Sequence, residues 1–400
     1  MTRKPLLSSP AVVLAAGFLV LFISGGSRFA IGLTLKTVVE EFGWVRSDIG
    51  LAVALFQIVS AVCLFVAGTM ADRTSPLVVL GGGLTVAGIG IGLMGFISAP
   101  WHALLLYGVL FAIGNGMASL TPVVVMVTRA FPRRIGVANA IAMSGMSVGQ
   151  LVVVAALAAL LVAIGWRSVF FWLGLAHLAL VPVLVAVLPR DHGGGPRAAA
   201  DPTSSRTIGE IARTRQFALL LGVYAMCGFD DFFVTTHLVA FAQDRGLNPF
   251  IAGNLLALMG LAALLGVIAA GAWSDRSGPR APAAASFAMR IVIFALIMVN
   301  QSATMVTLFA VVFGFTFLVT APLTVPFVAE SFGTEKLGAL TGLITMVHHI
   351  CGGLGAYLGA ALFDTSGGYD RAFLIMMASS LIALALTFCL NRGHRQRRHT

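Results

Sequence analysis

A small number of charged and titratable side chains interrupt long apolar stretches of this 400-residue sequence. Arginine can bind a carboxylate through two parallel hydrogen bonds, and aspartate and histidine can take up and release protons. The residues of this kind are Arg28, His177, Asp230, Asp231, His237, Arg290, His348 and His349. The chemistry available to these side chains is anion binding and proton transfer.

The surrounding composition is that of a protein with many membrane spans. Hydrophobic residues make up 58% of the chain, charged residues make up 10%, and the mean hydropathy is +0.98, whereas soluble domains carry roughly 25% charged residues. A charge near the centre of a bilayer costs several kcal/mol. Each ionisable residue inside a span is therefore a candidate functional residue.

Twelve apolar runs are long enough to cross a bilayer, which takes about 20 residues in an α-helix. The loops rich in Lys and Arg alternate with loops that carry few, which predicts that the basic loops and both termini are cytoplasmic. This topology, rather than nucleic-acid binding, explains the net charge of +10. We number the runs as spans 1 to 12, with predicted bounds 11–36, 48–70, 77–98, 102–128, 136–161, 167–189, 216–242, 250–272, 282–300, 304–328, 338–362 and 371–390.

The chain repeats itself at an offset of 203 residues, so that Asp72 aligns with Asp275 and Gly149 with Gly352. A duplication of hydrophobic halves is the signature of a transporter built from two membrane-embedded bundles. The predicted segments are a six-helix bundle, a polar cytoplasmic linker, a second six-helix bundle and a basic cytoplasmic tail, at 1–189, 190–215, 216–391 and 392–400. Residues 208–215 of the linker are expected to form a short surface helix.

The cytoplasmic ends of spans 2 and 8 carry related strings, GTMADRTSP and GAWSDRSGPR. Both resemble the loop signature of the major facilitator superfamily, G-x-L-A-D-R-x-G-R-R, although the first copy departs from it in its last positions. The resemblance implies twelve transmembrane helices in two pseudo-symmetric six-helix bundles. It also implies a role in gating the cytoplasmic side for Asp72, Arg73, Asp275, Arg276 and Arg280.

Four further strings resemble the bacterial monocarboxylate and oxalate/formate transporter-like branch of that superfamily: 41–49, 144–150, 236–238 and 366–370. The resemblance implies a multi-pass protein of the bacterial inner membrane that carries a small organic anion, commonly with a proton, by alternating access. Animal monocarboxylate transporters keep an arginine within span 8, and this sequence has none there. The anion site must therefore be sought among other residues.

Arg28 in span 1 and Asp231 in span 7 are related by the same offset of 203 residues. In the architecture that the resemblance implies, spans 1, 4, 7 and 10 line a central cavity, where these two side chains could pair. A carboxylate substrate would then displace Asp231 from the guanidinium, and the released carboxylate would take up a proton. The alternative is a static pair that only stabilises the fold.

Asp230 and His237 are seven residues apart and lie on one stripe of span 7. They are candidates for a proton relay, or His237 is simply held by hydrogen bonds near the outer end of its helix. Adjacent aspartates on a helix point about 100° apart, so we expect one of Asp230 and Asp231 to face the cavity.

Three further polar residues are candidates for substrate contact: His348 and His349 in span 11, and Asn115 in span 4. Arg290 and His177 lie in spans 9 and 6, which are peripheral in the implied architecture. For these two residues, support of the bundle and packing are the expected roles.

A second transport hypothesis is a proton-driven exporter of cationic or drug-like compounds centred on Asp230 or Asp231. The exporter signature of span 5 is only half present, because Gly145 and Gly149 occur but Gln150 replaces its proline. The string from Gly145 to Gly149 also fits the hydrolase pattern G-x-S-x-G, which requires a turn between a strand and a helix. Since this string lies in an apolar span, we expect that the protein is not an enzyme. We also expect a monomeric transporter that needs no cofactor or metal.

Overall fold

The computed structural model describes residues 9–131, 135–187, 207–333 and 337–390, and these are almost entirely helical, with no strand among them. The predicted all-α class is therefore confirmed. The predicted linker up to residue 206 and the basic tail 392–400 lie outside the described residues.

Spans 1 to 6 come from the first half of the chain. Their helices are Pro10–Ser27 and Ala30–Phe42 (span 1), Arg46–Arg73 (span 2), Pro76–Leu93 (span 3), Pro100–Ala103, Ala112–Met117 and Leu120–Ala130 (span 4), and Ile135–Val187 (spans 5 and 6). A 3₁₀ turn, Met94–Phe96, extends span 3, and a π-helical stretch, Leu104–Phe111, lies within span 4.

Spans 7 to 12 come from the second half. A short helix, Ile208–Ala212, precedes them, within the range predicted for a surface helix. The helices of the spans are Arg215–Asp244 (span 7), Pro249–Ser277 (span 8), Arg280–Val299 (span 9), Ala303–Phe317 and Thr320–Phe332 (span 10), Leu337–Ser366 (span 11) and Asp370–Cys389 (span 12).

Eleven helices of the described chain are long and apolar enough to cross a membrane, and one of them, Ile141–Val187, has 47 residues. At 1.5 Å per residue it would measure about 70 Å, more than twice the hydrocarbon thickness of a bilayer. Gly165 divides it, with φ 75° and ψ 165°. Glycine adopts this conformation without the steric cost that a side chain would bring. The division yields the predicted twelve spans.

Two spans break four residues before a proline. Ala118 precedes Pro122 in span 4, and Leu318 precedes Pro322 in span 10; both lie in non-helical gaps. A proline has no N–H to offer the carbonyl four residues earlier, and its ring crowds that carbonyl. Spans 4 and 10 are therefore interrupted, and their prediction as continuous spans was wrong.

Tyrosine hydroxyls bind the carbonyls that lie at the helix breaks. Span 1 is interrupted at Arg28, whose carbonyl oxygen accepts a hydrogen bond of 2.8 Å from the Tyr107 hydroxyl of span 4. The Thr320 carbonyl in span 10 accepts one of 2.9 Å from Tyr224 of span 7. Backbone groups inside a membrane need such partners because no water reaches them there.

The described chain forms two compact units. One contains spans 1 to 6 together with Pro249–Ala257, the start of span 8, and the other contains the remaining described residues from span 7 onward. Gly253 belongs to the first unit because a Cβ at this position would contact Ala158 and Leu33.

Close helix contacts through glycine occur in both units. A Cβ at Gly149 in span 5 would overlap the Phe22 carbonyl of span 1, and a Cβ at Gly228 in span 7 would overlap the His348 carbonyl of span 11. Small residues at such crossings allow helix backbones to approach closely. The helix through Gly149 also means that the G-x-S-x-G string does not form the turn of a hydrolase.

Candidate functional site

The buried charges of the second unit meet around span 7. Asp230 and Asp231 follow one another there, with 0% and 1% of their surface exposed. Both carboxylates face Arg290 of span 9, which is itself fully buried: Nη2 lies 2.7 Å from Oδ1 of Asp231, and Nη1 lies 3.9 Å from Oδ2 of Asp230. One guanidinium therefore reaches both carboxylates, and which aspartate faces the cavity stays a prediction.

Arg290 is held in place from span 10 as well. Its Nε donates a 3.1 Å hydrogen bond to the Thr316 hydroxyl, and its Nη2 donates one of 3.0 Å to the Thr316 carbonyl. The guanidinium carbon lies 4.8 Å from the centre of the Phe313 ring. These contacts agree with the supporting role expected for Arg290, and they make it the centre of the cluster.

Asp230 receives two hydrogen bonds from span 12. The hydroxyl of Ser379 donates to its Oδ1, and the hydroxyl of Ser380 donates to its Oδ2 at 2.6 Å. Hydrogen bonds to a charged carboxylate are stronger than those between neutral groups. They stabilise the ionised form of Asp230 although no water reaches it.

The second oxygen of Asp231 faces two titratable groups. The Cys227 thiol, one turn earlier on span 7, donates to Oδ2 at 3.3 Å, and Nε2 of His348 in span 11 lies 3.8 Å from the same oxygen. Nδ1 of His348 lies 3.2 Å from the carbonyl oxygen of Tyr224. Since a carbonyl only accepts, Nδ1 carries the proton of this bond and Nε2 is the nitrogen that can titrate beside Asp231.

The cluster holds two carboxylates and one guanidinium. With His348 neutral, its formal charge is −1, and one added proton on His348 or on a carboxyl group makes it neutral. A net charge buried away from water is costly unless it is compensated. The arrangement can therefore bind one exchangeable proton.

The distances within the cluster would also admit a metal ion. One ligand atom each from Cys227, Asp231 and His348 lie within 4.8 Å of one another. However, the guanidinium of Arg290 lies 2.7 Å from the same aspartate, and its positive charge opposes a divalent cation at this place. The chemistry of the set fits a proton better than a metal ion.

His237 lies apart from this cluster, towards the C-terminal end of span 7. Its Nε2 lies 2.8 Å from the Ala356 carbonyl oxygen and its Nδ1 lies 3.0 Å from the Tyr369 hydroxyl. Nε2–H therefore donates to the carbonyl, and Nδ1 accepts from the tyrosine. This geometry favours the interpretation of His237 as a histidine held by hydrogen bonds, and its role in proton transfer stays a prediction.

His349 and His177 each bond to a carbonyl of their own helix. Nδ1 of His349 lies 2.9 Å from the Thr345 carbonyl oxygen, and its ring packs beside Phe232. His177 is fully buried, with Nδ1 at 2.8 Å from the Leu173 carbonyl oxygen. The substrate contact predicted for His349 remains a prediction.

Arg28 occupies the break in span 1 in the first unit. Its side chain is half-buried, its Nε has no hydrogen-bond partner, and its guanidinium lies 4.8 Å from the Phe29 ring. No carboxylate among the described residues of its own unit forms an ion pair with it. Arg28 thus differs from Arg290, whose charge is compensated within its own unit.

Several buried polar atoms of the first unit have no hydrogen-bond partner among the described residues. Asn115, a predicted substrate contact, is one of them through its Oδ1. An unpaired buried polar group costs about 1–3 kcal/mol, so such atoms mark places where a ligand or water can bind. The others in spans 1, 4 and 5 are Ser24 Oγ, Arg28 Nε, Ser119 Oγ, Asn139 Oδ1 and Gln150 Nε2.

The predicted gating residues stand at the ends of spans 2, 8 and 9. The side chains of Asp72 and Arg73 lie outside the described part of the structure. Asp275 is exposed, Arg276 donates to a carbonyl of its own helix at 3.2 Å, and Arg280 donates to the Phe388 carbonyl. Gating by these residues stays a prediction.

The uncharged partners of the cluster, Cys227, Ser379 and Ser380, were not predicted from the sequence. Cys227 stands four residues before Asp231, the spacing that places side chains on one face of a helix. Ser379 and Ser380 form an adjacent polar pair in an apolar span. Both patterns are visible in the sequence, but neither indicates which helix the polar group faces.

Known proteins resemble this chain over most of its length. It matches the sequence profile of the Major Facilitator Superfamily over residues 17–234 and 220–400. An uncharacterized MFS-type transporter of Bacillus subtilis, YcxA, is 25% identical over 90% of this chain and 91% of its own. Monocarboxylate transporter 13 of Rattus norvegicus is 29% identical over 86% of this chain and 79% of its own. Monocarboxylate transporter 11 of Homo sapiens is 27% identical over 94% of this chain and 82% of its own.

Solved structures share the fold at low identity. A bacterial homolog to the human lysosomal transporter Spinster, in an inward-facing and occupied conformation, gives a TM-score of 0.81 at 17% identity and covers 99% of both chains. The nucleoside transporter NupG gives 0.69 at 13% identity, with 94% of this chain and 98% of its own covered. Together with the match across the chain, these likenesses show that the protein is a membrane transporter that belongs to the major facilitator superfamily.

Proposed function

We propose that this protein carries a small monocarboxylate or a related organic anion together with a proton across the bacterial inner membrane by alternating access. The observation that carries the proposal is the guanidinium of Arg28, which lies at a helix break in the middle of a span and has no carboxylate partner among the described residues of its unit. A cation in that position needs a compensating anion. The substrate supplies it, and the relatives named monocarboxylate transporters support a carboxylate.

The proton binds in the second unit, at the cluster of Asp230, Asp231, Arg290 and His348. Its exchangeable proton is shared between His348 and the carboxyl groups, with Asp231 as the closest acceptor. Asn115, in the same unit as Arg28, contributes a polar contact to the substrate, and His349 remains a predicted substrate contact of the second unit. Asp72, Arg73, Asp275, Arg276 and Arg280 act as gating residues.

Charge balance couples the two sites. The buried set of Arg28, Asp230, Asp231 and Arg290 has a total charge of zero when neither substrate nor proton is bound. The total charge is again zero when one monocarboxylate and one proton are both bound. It is −1 when only the monocarboxylate is bound and +1 when only the proton is bound. Since an uncompensated charge in the membrane interior costs several kcal/mol, the empty and the doubly loaded forms are the ones that reorient.

The experiment that tests this function is uptake of radiolabelled monocarboxylates by proteoliposomes with Arg28→Ala. We expect uptake to fall to the level of protein-free liposomes, while thermal unfolding in detergent shows a folded protein. Arg371→Ala, which removes an exposed arginine, is the matched control and should transport like the wild type. Undiminished uptake by Arg28→Ala would remove Arg28 from the anion site.

A further inference from the structure

Arg290 joins the acidic pair to the helix break in span 10. The first half of this span, Ala303–Phe317, ends just before Leu318. In an unbroken helix the Thr316 carbonyl would accept the N–H of Thr320, whereas here it accepts the Val319 N–H at 3.3 Å and Nη2 of Arg290 at 3.0 Å. The guanidinium thus caps the half-helix at its negative end, where a cation is favourable.

The second half of span 10 is held by neighbours of the same carboxylate. The Thr320 hydroxyl lies 3.4 Å from the Cys227 thiol, which donates to Asp231, and the Thr320 carbonyl accepts from the Tyr224 hydroxyl. The backbone carbonyl of Tyr224 in turn binds His348. Both sides of the break are therefore linked to groups that contact Asp231.

One nitrogen of Arg290, which carries two N–H groups, lies close to two acceptors. Nη2 lies 2.7 Å from Oδ1 of Asp231 and 3.0 Å from the Thr316 carbonyl oxygen. An ionised carboxylate attracts a guanidinium more strongly than a neutral carbonyl does. When the cluster takes up a proton, the attraction towards Asp231 weakens and the carbonyl becomes the stronger partner.

We propose that Arg290 is a positioning residue that transmits the protonation state of the Asp230 and Asp231 pair to the break in span 10. Proton binding strengthens the cap on the first half-helix, and proton release loosens it, so that the angle between the two halves depends on the proton. This inference rests on the proposed function, because it needs the cluster to be the proton site.

The groups around the pair belong to five spans. The titratable and charged ones are Cys227 of span 7, Arg290 of span 9 and His348 of span 11. Spans 10 and 12 contribute uncharged hydroxyls, Thr316 to Arg290 and Ser379 and Ser380 to Asp230. Arg290 is the charged member of this set that contacts both an aspartate and the broken helix, and the uncharged thiol of Cys227 links Asp231 to the second half of span 10.

The test measures the break directly, with spin labels on its two sides. Val311→Cys and Val325→Cys place labels on exposed positions of span 10, in a protein in which Cys63, Cys351 and Cys389 are replaced by serine and the buried Cys227 is kept. We expect the distance between the labels to change between about pH 8 and about pH 5.5, across the range in which histidine commonly titrates. Arg290→Lys keeps the positive charge but loses the planar guanidinium with its several N–H donors. In this variant the pH-dependent change in label distance should be lost.

Two threonines of span 10 provide the second variant and its control. Thr316→Val removes the hydroxyl that accepts from Nε of Arg290 and should reduce the pH-dependent change, even if Arg290→Lys does not fold. Thr307→Val removes a hydroxyl that bonds only within its own helix turn and should leave the change intact.

The outcomes separate this inference from the function on which it rests. If wild-type proteoliposomes move protons with the anion and the label distance does not depend on pH, the role of Arg290 is overturned and the proposed function stands. A pH-dependent distance that persists in both Arg290→Lys and Thr316→Val would overturn it as well. Failure of the wild type to move protons would instead contradict the proposed function.

Discussion

Asp231 is compensated within its own unit by Arg290, and this changes the mechanism expected from the sequence. The repeat offset pairs Arg28 with Asp231, whereas the structure places Nη2 of Arg290 2.7 Å from that aspartate. Arg28 is therefore not required to neutralise Asp231 in the empty protein. In the proposed function Arg28 binds the substrate, and the cluster around Asp231 binds the proton.

Replacing Asp231 should uncouple transport from pH. Asp231→Asn leaves one carboxylate and one guanidinium in the cluster, so the cluster is neutral without a proton. We expect wild-type uptake to rise as the outside pH falls, and uptake by Asp231→Asn to be nearly constant between about pH 5.5 and about pH 8.

The matched control is Asp364→Asn, which changes an exposed aspartate near the end of span 11. It should keep the pH dependence of the wild type. A pH profile of Asp231→Asn that follows the wild type would exclude Asp231 from the proton site.

Removing the guanidinium should be costly because it leaves two buried carboxylates uncompensated. Loss of one partner of a buried ion pair typically costs about 3–5 kcal/mol. We expect Arg290→Gln to lower the unfolding temperature in detergent markedly, and Asp231→Asn added to it to restore part of the loss.

This double-mutant cycle measures the coupling between the two side chains. Additive effects of Arg290→Gln and Asp231→Asn would mean that the 2.7 Å contact contributes little to stability.

At the scale of the helices, the number and order of the spans could be predicted because apolar runs of membrane length are unambiguous in this sequence. The breaks at Ala118 and Leu318 could have been predicted too, since Pro122 and Pro322 follow each of them by four residues. The break at Arg28 could not, because no proline follows it at that spacing and its carbonyl is bound by a tyrosine from another helix.

The site was harder to predict than the fold, for a physical reason. Charged residues inside spans are visible in the sequence, and Arg28, Asp230, Asp231, Arg290 and His348 were all found in this way. Their partners depend on which helices pack together and on how each helix is rotated. The contacts of Asp230 with Ser379 and Ser380, more than 140 residues away, carry no local signal.

The tyrosine at the break in span 1 offers a test at the level of the element. Tyr107→Phe removes the hydroxyl that binds the Arg28 carbonyl, and an unpaired backbone carbonyl costs about 1–3 kcal/mol. We expect lower thermal stability and weaker apparent affinity for the anion, because the backbone that carries Arg28 loses its anchor.

Tyr357→Phe, at a position with 39% exposure, is the control and should change neither quantity. If Tyr107→Phe keeps both wild-type stability and wild-type affinity, the hydroxyl does not hold the break.

At the scale of the whole molecule, charge balance predicts electroneutral transport. If one net charge crossed with each cycle, a membrane potential of about 100 mV would contribute about 2.3 kcal/mol, equivalent to about a fifty-fold change in accumulation. We expect an imposed potassium diffusion potential to leave accumulation of the monocarboxylate unchanged. A strong response to the potential would mean that proton and anion do not move in equal numbers.

Substrate-driven proton movement into proteoliposomes tests the central claim most directly. Lactate, pyruvate, acetate, oxalate and formate would be added outside, beside a few organic cations, with the lumen pH read by a trapped dye. Protein-free and Arg28→Ala vesicles correct for acids that cross the lipid unaided. The account predicts faster acidification of the lumen with at least one monocarboxylate, in wild-type vesicles alone. A response to organic cations only, or anion accumulation without any change in lumen pH, would contradict it.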